Sequence, residues 1–377
     1  MGRAKANGPG AADPLIDVSG GPATAAAVPG AELLVIPGMG HDLPAGARAR
    51  TEAALEEGLR AWQQREAGRA EHEQHDHDRA RHAERRLDPV RHAGHTATVI
   101  EFDVTLDDGR TLHAYDSGEK DRLPVVWHHG TPNIGSPPAP LFAAADRLGL
   151  RWIGYDRPGY GGSTERRGRD VASAAADVRS VVDALGIERF AVLGHSGGGP
   201  HALACAALLP DRVLAVASGS SLAPYGAPGL DYFAGMAPLQ DGSMRAVLQG
   251  REASEAYEAA HADDADFPFT TADWAALEGE WGWFGSVVGP AVANGPGPGI
   301  DDNLAFVAPW GFDLARIAAP AYIFHGRDDV FVPSGHGEWL AAHIPGAELS
   351  ILDGEGHVSV LKLGPRVLEW IRAVSAA

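Results

Sequence analysis

The sequence predicts an α/β fold with a mostly parallel sheet, and three observations carry that prediction. From about residue 96 onward, short apolar runs alternate with helix-patterned segments. The runs are continuously apolar, as strands covered on both faces are, rather than alternating as half-exposed strands would be. A glycine-rich turn, GHSGG at 194–198, joins one run directly to a helical pattern.

The elements follow in order. VIEFDVTL at 99–106 and TLHAY at 111–115 alternate in polarity around the Asp-Asp-Gly turn at 107–109, which predicts an antiparallel hairpin. Buried strands are expected at PVVWHH (124–129), RWIGYD (151–156), FAVLGHS (190–196), RVLAVASG (212–219), AYIFHG (321–326) and AELSIL (347–352). Helices are expected at DVASAAADVRSVVDALG (170–186) and GGPHALACAALLP (198–210), packed on the sheet. Residues 222–316 interrupt this rhythm with a stretch rich in Trp, Phe, Gly and Pro, including the helical patch TTADWAALEGEW. A connection of that length between core strands reads as a lid or binding element.

Composition narrows the function classes. The chain has 377 residues, with 31 basic against 50 acidic side chains and a formal charge of −19, which repels a nucleic-acid backbone. Cys205 is the single cysteine, so neither an internal disulfide nor a cysteine zinc cluster can form, which suits a reducing cytosol. The start, MGRAKANGPGAADP, lacks an apolar run of signal-peptide length, and no stretch approaches the ~20 apolar residues of a membrane span. A cytoplasmic chain without membrane contact is the expectation. Oligomeric state is not readable from the sequence.

Ser196 in GHSGG stands between a strand and a helix, where a tight turn exposes its hydroxyl and needs Gly194 and Gly198 for close backbone approach. The Gly197 amide at the helix start can hold an oxyanion, and Thr131 in HHGTPNIG offers the second N–H. A serine hydroxyl needs a base, itself oriented by an acid. Asp329 in FHGRDDVFVP and His357 in LDGEGHV both follow strands at their carboxyl ends, in the chain order Ser, Asp, His. Asp329 is preferred to Asp328, which is assigned to the turn. His128 and His129 are read as turn and core residues, His195 as packing locally, and Cys205 as buried rather than reactive. Of Trp274, Trp281, Trp283, Phe284 and Trp310, most are read as lid core.

With HGTP, YDRPGYGGS (155–163), GHSGG, GRDDVFVP and GEGH in place, residues 96–377 resemble the α/β-hydrolase superfamily throughout that span. The resemblance implies an eight-stranded sheet, an inserted lid after the sixth strand, and a Ser-His-Asp mechanism without metal or cofactor. It implies a small-molecule acyl substrate such as an ester, lactone or thioester. Epoxide hydrolases and haloalkane dehalogenases are similar but place a carboxylate where Ser196 stands. Acyl transfer and carbon–carbon bond hydrolysis use the same triad and stay open, as does a catalytically silent binding module.

The first zone repeats the ending of the last. GAELLVIPGMGHD at 30–42 nearly copies GAELSILDGEGHV at 346–358, and one constant offset places Asp13 on Asp329 and His41 on His357. Residues 1–62 therefore resemble the terminal piece of a second α/β hydrolase without a nucleophile, and are read as a remnant rather than as a complementing piece. Residues 63–95, nearly devoid of large apolar side chains and carrying His72, His75 and His77, read as a charged linker rather than a metal site.

Overall fold

The computed structural model describes residues 99–376 apart from 119, 262–266 and 294. The duplicated fragment with Asp13 and His41, and the linker with His72, His75 and His77, lie outside the described residues.

Eight strands form one sheet: β1 (Ile100–Thr105), β2 (Thr111–Asp116), β3 (Leu123–His128), β4 (Leu150–Tyr155), β5 (Phe190–His195), β6 (Val213–Gly219), β7 (Ala321–Gly326) and β8 (Glu348–Leu352). Their order is β1-β2-β4-β3-β5-β6-β7-β8. The expected hairpin is antiparallel from Ile100↔Asp116 to Thr105↔Thr111, with Gly109 in the turn at a φ of 83° that favours glycine. β2 pairs antiparallel with β4, and every later pairing is parallel. A buried bidentate ion pair reinforces the β2–β4 seam, Arg151 Nε to Asp116 Oδ1 at 2.8 Å and Nη2 to Oδ2 at 2.6 Å.

Both faces of the sheet are covered, which is why the central strands read as unbroken apolar runs. Successive residues point to opposite sides. Val126, Val192 and Ile323 join one core, while their neighbours Val125, Leu193 and Phe324 join the other. The first core is closed by α2 (Ser173–Ala184) and α3 (Gly198–Leu208), through Val178, Val181 and Leu203. The second is closed by α1 (Phe142–Arg147) and by the last helix, α10 (Gly364–Val374), through Phe142, Leu368 and Ile371. Each fully buried side chain of this size contributes about 1.5–3 kcal/mol to burial.

Between β6 and β7 the chain carries five helices: α4 (Pro238–Val247), α5 (Arg251–Ala260), α6 (Thr271–Glu278), α7 (Phe284–Val292) and α8 (Gly297–Val307); α9 (Gly335–His343) follows β7. Aromatics of this insertion join the main cores: Trp281 and Phe284 are buried in the second and Trp310 in the first, with Trp283 packed at the edge. Trp274 departs from the expected core role; it is 44% exposed. His336 on α9 ties down the stem of this insertion, accepting from the Ala223 N–H at 3.1 Å and donating to the Tyr232 carbonyl at 2.9 Å.

Candidate active site

The turn after β5 is as tight as the glycine spacing predicts. A Cβ on Gly194 would lie 2.4 Å from the Gly198 carbonyl oxygen, and one on Gly198 would lie 1.9 Å from that of His128. Between them Ser196 adopts a φ of 55°, a left-handed conformation that strains a side chain by ~1–3 kcal/mol. Its N–H is held by the Gly219 carbonyl at 2.8 Å, and its own carbonyl accepts from Gly199 at 2.9 Å as α3 begins. Gly198→Ala would drive a methyl group into the β3 backbone, so chemical denaturation should show a loss of about 3 kcal/mol or more. A loss below ~1 kcal/mol would contradict the packing described here.

Three side chains from separate strand ends converge on this turn. His357 Nε2 lies 2.9 Å from Ser196 Oγ, and His357 Nδ1 lies 2.8 Å from Asp329 Oδ2. Asp329 is fixed in turn: Oδ1 accepts the N–H groups of Phe331 and Val332, both at 2.9 Å, and His325 Nε2 approaches Oδ2 at 3.4 Å. Asp328 is exposed, and its N–H donates to the Glu355 carbonyl. Burial opposes ionisation of Asp329, but the charge of His357 and the hydrogen bonds from His325 and His357 hold its carboxyl well below the usual range. Burial likewise opposes protonation of His357, yet the Asp329 charge and hydrogen bond prevail and raise its pKa.

The neighbouring histidines serve as structural groups. His129 donates from Nδ1 to the Gly130 carbonyl and accepts at Nε2 from the Arg157 N–H, which defines a neutral tautomer. His195 donates from Nε2 to the His357 carbonyl at 2.9 Å, and burial pushes its pKa down to about 3. It thereby steadies the backbone of His357 without carrying charge. Cys205 is fully buried, and burial raises its thiol pKa far above the ordinary value.

Gly197 and Thr131 abut across the site, since a Cβ on Gly197 would lie 2.3 Å from Thr131 Oγ1. Among the described residues, neither N–H is donated to an acceptor. The Thr131 hydroxyl is directed elsewhere: it donates to Asp302 Oδ2 at 2.6 Å. Asp302, on α8, is the hub of a buried cluster that the sequence reading missed. It accepts from Arg157 Nη2 at 2.6 Å, Tyr160 OH at 2.8 Å and Arg169 Nη1 at 2.7 Å. Arg157 also caps the loop that carries Thr131, donating to the carbonyls of His129 and Gly130. Burial opposes the Asp302 charge, but Arg157 and Arg169 hold its carboxyl well below the usual range. Arg157 and Tyr160 lie within the YDRPGYGGS motif, which could have flagged them. Asp302 carries no such signal.

Known proteins give the same fold. A family model described as alpha/beta hydrolase fold matches residues 124–362, and the chain belongs to the α/β-hydrolase family of enzymes. One curated relative is a non-heme chloroperoxidase from Streptomyces lividans, 29% identical over 277 residues that span 70% of this chain and 95% of the relative. Another is a 2-hydroxy-6-oxononadienedioate/2-hydroxy-6-oxononatrienedioate hydrolase from Cupriavidus pinatubonensis, 29% identical over 272 residues, 67% of this chain and 88% of the relative. Among solved structures, an enol-lactonase from Burkholderia xenovorans shares the fold with a TM-score of 0.55 at 22% identity, over 73% of this chain and all of that one. Among the described residues, no helix is long and apolar enough to cross a membrane.

Proposed function

We propose that this enzyme is a serine hydrolase acting on an ester, lactone or related acyl bond of a small molecule. What carries the reading is the hydrogen-bonded chain from Ser196 through His357 to Asp329. Ser196 attacks the acyl carbonyl while His357 Nε2 accepts its proton, forming a tetrahedral oxyanion held by the amides of Gly197 and Thr131. Collapse expels the alcohol, which takes the proton back from His357. Water, activated by the same imidazole, then releases the acid and restores Ser196. Asp329 keeps Nδ1 protonated and stabilises the imidazolium. The insertion between β6 and β7 is read as the lid over this site.

The test is a panel of p-nitrophenyl esters of graded chain length, with lactones alongside, followed as kcat/KM against pH. The base must be neutral, so activity rises with pH through the titration of His357. Because Asp329 raises that pKa, the midpoint of the acid limb should lie above the ordinary histidine value. Asp329→Asn should move the limb to lower pH and reduce kcat by about 10³–10⁴-fold, since the imidazole loses its enforced tautomer. An acid limb unaffected by this substitution would refute the assignment of base and acid.

A second reading, hydrolysis of a carbon–carbon bond, is favoured by the likeness to the Cupriavidus relative, whose name gives a 2-hydroxy-6-oxo dienedioate as substrate. A vinylogous 1,5-diketone acid in the panel separates the two, because an esterase confined to acyl–oxygen bonds leaves it intact.

A further inference from the structure

Helix α6 of the insertion sets one carboxylate against the backbone that carries the base. Thr270 caps this helix: its hydroxyl accepts from the Asp273 N–H at 3.1 Å, and Asp273 Oδ2 accepts from the Thr270 N–H at 3.1 Å and from its hydroxyl at 2.9 Å. The same carboxylate reaches across the fold. Oδ1 accepts the N–H groups of Val358 and Ser359, each at 2.8 Å, and Oδ2 accepts that of His357 at 3.2 Å. Asp273 is almost wholly buried. A Cβ on Gly356 would lie 2.1 Å from Asp273 Oδ2, so the second glycine of GEGH makes room for this carboxylate. A helix cap alone would need only the Thr270 contacts; the other three bonds hold consecutive amides of the histidine loop.

We propose that Asp273 is a positioning residue, by which the insertion fixes the loop bearing His357 and so sets the reach of its imidazole to Ser196 and Asp329. The activity part of the test rests on the serine-hydrolase reading; the geometry does not. The imidazole is faced by Asp329 and Phe331 from the segment after β7 and by His195 and Ser196 at the end of β5, with His325 behind Asp329, while Asp273 from α6 lies against the backbone N–H of the same residue. Asp273 is thus a second negative group favouring the imidazolium, besides Asp329.

The test is Asp273→Asn in the full chain, read by kinetics and by an NMR titration of His357, its resonance assigned by loss in His357→Gln. An asparagine at this place turns an amide NH₂ toward the amide donors and leaves a single acceptor oxygen. Displacing a reacting group by an ångström costs ~10²-fold, so kcat should fall about 10–100-fold with KM within about threefold. The titration midpoint of His357 should move to lower pH. Wild-type kcat together with a wild-type midpoint would overturn the proposal. So would a rise in KM with the midpoint unmoved, which marks a merely structural role. If the variant does not fold, Thr270→Val withdraws the hydroxyl that anchors the carboxylate and loosens its hold on the loop, so kcat should fall roughly two- to fivefold while the midpoint, with the charge of Asp273 retained, stays in place. An unchanged kcat overturns the proposal. A wild-type chain without ester turnover would count against the hydrolase reading, while the NMR titration still decides the role of Asp273.

Discussion

Replacing Ser196 by Ala should lower kcat by about 10⁴–10⁶-fold and leave the fold in place. The size of the effect follows from the geometry. Among the described residues, His357 Nε2, 2.9 Å from Ser196 Oγ, has no other hydroxyl as a hydrogen-bond partner. Binding and oxyanion stabilisation by the remaining amides would still leave a residual rate above that of water. The alanine keeps the left-handed backbone at position 196, so the denaturation midpoint should move little. Activity within about tenfold of wild type would mean that another group is the nucleophile, and the reading built on the strand-to-helix turn would be wrong.

The largest expected effect on stability lies at Asp302. Its carboxylate is fully buried and opposes two buried guanidinium groups, Arg157 at 2.6 Å and Arg169 at 2.7 Å. Asp302→Ala strands both positive charges, and breaking a buried ion pair from one side costs about 3–5 kcal/mol. The substitution also releases the Thr131 hydroxyl and the Tyr160 hydroxyl, which share Oδ2. Urea denaturation of the purified variant should therefore show a loss of at least ~3 kcal/mol, and ester turnover of whatever remains folded should fall as the Thr131 loop loses its anchor. A loss under ~1 kcal/mol would mean that solvent or rearranged acceptors satisfy the two arginines.

Sequence patterns revealed the sheet because its strands are buried on both faces. Runs such as FAVL and AYIF contain no polar interruption, and glycine or charged residues mark their ends. Ser196, Asp329 and His357 could be singled out for a related reason: each stands within a few residues of the carboxyl end of a strand, so its position along the chain translates into a place on one edge of the sheet. The insertion was less legible. TTADWAALEGEW reads as helix there, whereas α7 contains Pro290 and α8 begins in the run GPGPG, features that mask helical periodicity. The two aspartates of the insertion illustrate a harder limit. Asp302 meets its partners at separations of 133 to 171 residues, and no local pattern encodes such a meeting. Asp273 was hidden differently. Thr270 and Asp273 form a recognisable capping box, and that local role accounts for the carboxylate so well that nothing in the sequence points to its second set of bonds, 84 to 86 residues away.

These long-range contacts also explain how a site can be fixed on loops. The serine turn is held by the glycines and the β3 backbone, the histidine loop by His195 and Asp273, and the Thr131 loop by Arg157 and Asp302. Two of these three supports come from the insertion. Its helices thus contribute to the geometry of the loops that carry His357 and Thr131.

The most direct measurement is labelling of the full chain with a fluorophosphonate, followed by peptide mapping. A serine hydroxyl activated by His357 forms one adduct, on Ser196, and the adduct disappears in His357→Ala. A chain that resists the reagent, or that carries the phosphonyl group at another residue with Ser196 untouched, would contradict the account.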